Sequence, residues 1–272
     1  MKNFKRVLSL VLAIAMAVTM LVGCGESGSD KIKAGTLTVL GTDTEQMNAA
    51  DDAYVWTFYD SMDAMLLALE AGKIDIARII PECVGKYIET RNEKMKYTPV
   101  TEKPSMLNYH MGALSKNQAT VDLLDKALNQ LKQQGIISNL VAKYIDEYTK
   151  TGEEPAPVEL PTFPGADTIK VAVTGDLPPL DYVSAAGVPA GFNVALLAEI
   201  AKIANVNFEV ISINAAARAT AIATGSADVL FWVCTREYQD ASIHEFENID
   251  ITDDLVLTSP YFGSQPGYIE LK

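Results

Sequence analysis

Cysteine, histidine and tryptophan are scarce in this chain of 272 residues, at three, two and two. Cys83 and Cys234 are the only thiols beyond the leader, and a pairing between them stays open. Two thiols do not make a disulfide-held scaffold. His110 and His244 lie far apart, each without a neighbouring Cys or His, so there is no metal-site spacing. Neither a metal nor a cofactor is expected. Basic residues are also few, 22 against 35 acidic ones, for a net charge of −13. A surface this acidic repels phosphate backbones, which excludes nucleic acid as a partner.

What is present begins with a leader. Lys2, Lys5 and Arg6 precede "VLSLVLAIAMAVTMLV", an apolar run too short, and too cleanly followed by a processing site, to be a spanning helix. "LVGC" followed by the polar "GESGSD" resembles a bacterial lipobox. That resemblance implies cleavage before Cys24, lipidation of its sulfur and a tether to the outer face of a membrane. Residues 1–23 are then the signal peptide and 24–35 a flexible tether. The remaining 249 residues, with 19 basic and 35 acidic side chains, suffice for one large domain or two small lobes.

A segment with four prolines, "TGEEPAPVELPTFPGAD" (151–167), divides two α/β stretches and reads as a linker or surface strap. Upstream, "TLTVL" (36–40), "AYVWTFY" (53–59) and "IDIARII" (74–80) are strand-like. "SMDAMLLALEAG" reads as a helix, with Ser61 as cap, Gly72 as stop, and Met62, Met65, Leu66 and Leu69 on one face. A short helix at 84–92 turns Val84, Tyr87 and Ile88 inward. "MKYTPV" and "SMLNYHMGAL" are expected to pair. Two amphipathic helices follow, one with Val121, Leu124, Leu128 and Leu131 between Asn117 and Gly135, the other from Ile137 to Tyr148. Downstream, strands at "IKVAV", "VNFEVISI" and "ADVLFWV" alternate with helices at "FNVALLAEIAKIA" and "AARATAIAT". The closing "YFGSQPGYIELK" is extended.

"ALEAGKIDI" (68–76) and "AIATGSADV" (221–229) echo one another. In both, a Gly ends a helix and an Asp turns the chain into the next strand, which suggests two lobes of similar build. Together with "LPPLDYVSAAGVPAGFN", "TSPYF" (258–262), "FYDSMDAMLLALEAGKIDIARIIPECVGKYI" (58–88) and "DLLDKALNQLKQQGIISNLVAKYI" (122–145), these segments resemble the type 2 periplasmic or extracellular solute-binding proteins, receptors of ABC importers for amino acids and other polar solutes. The resemblance spans nearly all of residues 36–271.

It implies an α/β, two-lobed periplasmic-binding-protein-like (type II) fold, each lobe a mixed sheet flanked by helices. The blocks, however, stand in another order than the family's, so a circular permutation is expected. A lobe 2-like domain occupies 36–104 and is completed by about 263–272. A lobe 1-like domain occupies 105–262, including the terminal helices 117–148 and the Pro-rich strap 149–167. Chain ends of domains tend to be exposed and close together, which makes such a rejoining feasible. A fragment of a tandem array is the rival explanation.

The function so implied is capture of a small polar solute, amino acid-like or related, between the lobes for an ABC permease. The protein is expected to be a monomer outside the cytoplasm, held to the membrane through its lipid alone. Strand tips and helix N-termini favour anions in such a cleft, and its residues are expected to be Asp176, Tyr182, Arg218, Trp232, Thr235, Arg236 and Glu82. Tyr182 follows the family's aromatic wall, with packing on its own turn as the alternative. Trp232 ends a buried strand, where it can stack on a solute or simply on the core. Arg218 sits in an Ala-rich helix facing the core, and an unpaired buried guanidinium is costly. Its partner is therefore a solute carboxylate or a structural Asp, and the former is favoured here. Arg236 in "CTRE" falls near the family's carboxylate-binding motif with shortened spacing. The position where relatives hold an α-ammonium with Asp aligns with Pro81, beside Glu82, while Asp43 and Glu45 occupy the second anion loop. An acidic rim of that kind suits a cationic or hydroxyl-rich solute, though solvated surface charge explains it equally well. Two other functions stay open. An enzyme on the same fold, of the dehydratase kind, would need a general acid or base among Asp176, Glu82 and Glu237. A sensory or scaffold lipoprotein would have lost solute binding altogether.

Overall fold

The computed structural model describes residues 31–272, so the signal peptide and the lipid-bearing Cys24 expected above lie outside the described residues. Strand β1 (Ile32–Leu37) starts four residues earlier than "TLTVL" suggests, so the expected tether loses its last residues to a sheet. Helix α1 (Thr44–Ala50), β2 (Tyr54–Tyr59), α2 (Met62–Glu70), β3 (Ile76–Pro81), α3 (Glu82–Arg91) and β4 (Met95–Pro99) follow. The signals that set α2 act as anticipated. The Ser61 hydroxyl accepts from Ala64 N at 3.2 Å, Met62, Met65 and Leu69 are buried, and Gly72 takes the left-handed φ of +66° that ends the helix.

The chain then crosses to a second sheet with β5 (Ser105–Leu114). Helix α4 (Gln118–Gln133) buries Val121, Leu124, Leu128 and Leu131, which contributes roughly 6–12 kcal/mol of burial before entropy is counted. Gly135, at φ +70°, separates it from α5 (Ile136–Val141), which runs through a π-helical turn (Ala142–Glu147) into α6 (Tyr148–Thr151). Asn117 holds the N-cap position of α4 without a side-chain cap bond; its amide instead donates to Asp228 O at 3.4 Å. Residues 152–167 form the strap. Val158, Leu160 and Phe163 press on the core, and Asn207 binds Phe163 at both its N–H and its C=O.

Beyond the strap come β6 (Thr168–Val173), the short β7 (Asp176–Leu177), β8 (Asp181–Val183) and β9 (Pro189–Ala190), then α7 (Phe192–Ala204) and β10 (Asn207–Ser212). Helix α8 (Arg218–Thr224), β11 (Val229–Tyr238), β12 (Leu255–Leu257), β13 (Phe262–Ser264) and β14 (Pro266–Leu271) complete the chain.

The fold is α/β, with two mixed sheets flanked by helices. The first sheet has the order β2-β1-β3-β14-β4, with β1 parallel to β2 and β3, and β14 antiparallel to its neighbours. The second has the order β10-β6-β11-β5-β12, with β13 also on β5. The last strand, β14, thus returns to the sheet that β1 begins. The expected pairing of "MKYTPV" with "SMLNYHMGAL" does not occur: β4 pairs with β14 in one sheet, and β5 with β11 in the other. Cys83 and Cys234 are both free thiols. No helix among the described residues is long and apolar enough to cross a membrane.

Candidate functional site

Backbone irregularity converges on one place. Four described non-glycine residues have positive φ, and three of them, Ile79 (+61°), Trp232 (+68°) and Phe246 (+56°), line a single cavity between the two sheets. The fourth, Asn205, closes α7. Such a conformation costs on the order of 1–3 kcal/mol for a side chain as stiff as Ile, and strain of this kind clusters at ligand sites. Two β-bulges account for Ile79 and Trp232, while Phe246 lies in a turn. On β3, Arg78 and Ile80 face consecutive residues of β14, Tyr268 and Gly267, so Ile79 is extra. On β11, three steps from Leu230 to Val233 oppose two on β5. Bulges re-aim side chains, and here they turn both sheets toward one space.

The inner cavity is narrow, about 50 Å³, room for about four waters. Arg78, Ile79, Arg236 and Phe246 also border a wider outer cavity of about 630 Å³. The inner walls are mainly apolar. Trp232 stacks on Tyr109 with ring centroids 4.5 Å apart and 27° between planes.

Two guanidinium groups stand where the cavities meet, one from each sheet. Arg236, on β11, donates from Nε to Ser105 Oγ at 2.9 Å and lies 4.7 Å from the centre of the Tyr238 ring. Burial lowers its pKa, and the Arg78 charge adds to that effect. Arg78, on β3, sits 4.3 Å over the Tyr54 ring. Neither forms a salt bridge with a described residue.

Arg218 also reaches the inner cavity, but its partner is the protein's own. Its guanidinium, with 4% of the side chain exposed, meets Asp250 twice, Nη2 to Oδ1 at 2.5 Å and Nη1 to Oδ2 at 3.0 Å. Nη1 also donates to Trp232 O, Nη2 to Thr38 O, and Nε to Ala215 O. All five N–H donors are thereby used. Asp250 accepts in addition from Leu40 N and Cys234 N, both at 3.0 Å. The expectation that Arg218 meets a solute carboxylate is corrected, because no donor remains to offer one.

The other expected site residues turn elsewhere. Asp176 accepts from Met62 N at 2.7 Å, at the N-terminus of α2, where burial raises its pKa to about 6. The anion position at that helix end is filled by the chain's own carboxylate. Tyr182 is buried against Tyr148, with ring centroids 5.8 Å apart, and forms a cluster with Tyr87 and Ala190. Thr235 Oγ1 donates to His110 Nε2 at 3.0 Å. That direction follows because Nδ1 faces the Thr258 carbonyl at 2.8 Å and must carry the ring hydrogen. Glu82 pairs with Lys86 at 2.5 Å on a half-exposed helix face and lines neither of the two cavities. Asp43 is the N-cap of α1, in a reciprocal box with Gln46, so its charge serves the helix.

Of the expected residues, the structure therefore brings Trp232, Arg236 and Arg218 together and leaves Asp176, Tyr182, Thr235 and Glu82 outside. Sequence reasoning missed Arg78, Tyr109 and Phe246. Arg78 carried a legible signal, a guanidinium interrupting the apolar run "IDIARII". Among the carboxylates proposed for acid–base work, Glu237 is exposed, and none lines the inner cavity. Among the described residues, no cluster of His, Cys, Asp or Glu could hold a metal ion.

Residues 169–241 match the family described as bacterial extracellular solute-binding proteins, family 3. This bears out, for that segment, the likeness read from the sequence. No curated protein matches the chain. Solved structures similar to it include the periplasmic binding protein AgaA of A. tumefaciens in complex with agropinic acid, at 12% identity and a TM-score of 0.42, covering 80% of this chain and 55% of that one. The chain thus spans little more than half the length of AgaA. A putative L-cystine ABC transporter from Listeria monocytogenes is 12% identical, with a TM-score of 0.37, over 89% of this chain and 83% of that one. A pheromone cOB1 precursor/lipoprotein of the YaeC family from Enterococcus faecalis is 13% identical, with a TM-score of 0.43, over 89% and 85%. At such identities and TM-scores these structures carry no argument about what the chain binds.

Proposed function

We propose that the chain is an extracytoplasmic solute-binding protein that takes up a small polar solute between its two sheets and presents it to an ABC permease. The observation that carries this reading is the inner cavity itself. Trp232 and Arg236, both inside the family-matched segment, face Arg78 from the other sheet across a space walled by strained backbone. A site lined by aromatic and apolar walls with a few converging polar groups is the usual form of a small-molecule pocket.

The narrow inner space requires the sheets to part before a solute enters. Polar contacts between the halves include Met62 N to Asp176, Ala215 N to Asp60 O at 2.8 Å, Gly41 N to Ile249 O at 2.8 Å, the Arg218–Asp250 group with Thr38 and Leu40, the exposed Lys103–Glu245 pair and the Arg91 bond to Gly152 O. A solute touching both sheets would shift the balance between parted and joined arrangements, which is the signal a permease reads. The lobe assignment belongs to the same proposal. Residues 32–104 with the closing strand would form one lobe, and 105–264 the other, in permuted order. A lipid on Cys24 would hold the body at the membrane.

The test is calorimetry and thermal shift of the purified chain against a library of amino acids, amines, organic acids and small polar solutes. A saturable binder whose affinity falls when Arg236 is replaced by Gln is expected. A library without a single binder would contradict the proposal.

A further inference from the structure

Four charged side chains line the inner cavity: Arg78, Arg218, Arg236 and Asp250. Arg218 and Asp250 neutralise one another and exhaust each other's hydrogen bonds. Two positive charges are left over, Arg78 and Arg236, inside a protein whose net charge is −13. Two like charges in a space partly shut off from water repel one another, and each guanidinium keeps N–H donors with no acceptor among the described residues.

The acids of the outer cavity do not supply the missing charge. Glu245, the carboxylate that acts on Arg236 from that side, is held by Lys103 Nζ at 2.7 Å through both oxygens. Asp51 accepts from Trp56 Nε1 and from the amides of Ala53 and Tyr54. Glu102 and Asp52 are exposed on the rim. An α-ammonium inside the cavity would likewise find no carboxylate, because all of Asp250's acceptor positions are engaged and Pro81 occupies the neighbouring wall.

We propose that the cavity selects a small organic dianion, a dicarboxylate with an apolar middle, which sets one acidic group on Arg78 of the first sheet and the other on Arg236 of the second. The inference rests on the solute-binding function proposed above and gives that site its substrate class. Charge decides between candidates: a dianion neutralises both guanidinium groups, a monoanion one, and a zwitterion neither. Fork-shaped guanidinium groups match carboxylates in geometry as well as charge. Because one group sits on each sheet, the same solute would draw the two sheets together.

Three solutes on one carbon skeleton test the inference by calorimetry: glutarate, glutamate and glutamine, in order of falling negative charge. The expected affinity order is glutarate, then glutamate, then glutamine, with glutarate binding weakened by added salt. Arg78→Gln and Arg236→Gln are each expected to weaken glutarate about ten- to a hundredfold, as loss of a charge-assisted bond does. Arg78→Lys, which keeps the charge and loses the fork, is expected to fall between. Melting temperatures of all three variants establish that they fold. Glutamine binding as tightly as glutarate, or an Arg78→Gln variant that folds and binds glutarate unchanged, would overturn the inference. If other solutes bind and glutarate does not, the dianion fails while solute binding stands; if nothing in the wider library binds, solute binding itself fails.

Discussion

Replacing Asp250 by Asn keeps the size of the side chain and removes the charge that faces Arg218. The carboxylate accepts four hydrogen bonds, two from Arg218 and one each from Leu40 N and Cys234 N. An amide has one oxygen and one NH₂, so either orientation sets a donor against a donor. Only 4% of the Arg218 side chain and 2% of the Asp250 side chain are exposed, so water cannot take over the broken contacts. Breaking a buried pair by altering one partner costs about 3–5 kcal/mol. For a body of this size, that lowers the melting temperature by about 6–20 °C. Urea unfolding and scanning calorimetry measure it. The double substitution Arg218→Met with Asp250→Leu removes both charges and is expected to recover part of the loss. A cost below about 1 kcal/mol for Asp250→Asn, the scale of an exposed pair, would refute the structural role assigned to Arg218. An unchanged stability with a weakened solute affinity would return Arg218 to the solute.

Asp176 gives a pH-dependent prediction. Burial raises its folded pKa to about 6, above the ordinary carboxylate value, so the folded state binds the proton more tightly than the unfolded one. The stability it contributes is fully present below about pH 4 and is lost as the pH rises through about 6. Asp176→Asn removes this dependence and is expected to gain on the native chain by about 1–2 kcal/mol between pH 4 and pH 7, read from urea unfolding at both values. A mutant whose stability tracks the native chain over that range would contradict the burial effect. Thr235→Val leaves His110 Nε2 without its donor and is expected to cost about 1–2 kcal/mol, with solute affinity unchanged. A selective loss of affinity would instead place Thr235 at the solute.

Local order was legible in the sequence where one segment settles its own fate. The face of α4, the Ser61 cap and the stops at Gly72, Gly135 and Gly225 are local events, and each appears where its residues predict. Strand partners were not legible, because nothing in the sequence of β4 or β5 names its neighbour. The closing strand β14 is an exception: the family resemblance, not its own pattern, sent it back to the first sheet.

In the site, Arg218 shows both the reach and the limit of reading charges. Its position in an Ala-rich helix correctly demanded an anion. The anion lies 32 residues on, in the irregular stretch 239–254, where no periodicity marks a buried Asp. Asp181 is the converse case. It lies in the "DLPPLDY" turn that holds Asp176 and Tyr182, yet it is the fully buried member, accepting from Thr174, Gly175 and Asn193. Ile79 and Trp232 owe their place to bulges, which depend on pairing and so cannot be read from composition.

Trp56 and Trp232 are the only two tryptophans, and they border the outer and the inner cavity respectively. In a Trp56→Phe variant, Trp232 alone reports on the space between the sheets. Titrating that variant with a solute found by calorimetry, while following indole emission, tests directly whether the solute enters there. A saturable change in Trp232 emission, with the calorimetric midpoint and abolished by Arg236→Gln, is the predicted result. Full calorimetric binding with no change in Trp232 emission would contradict a solute site between the two sheets.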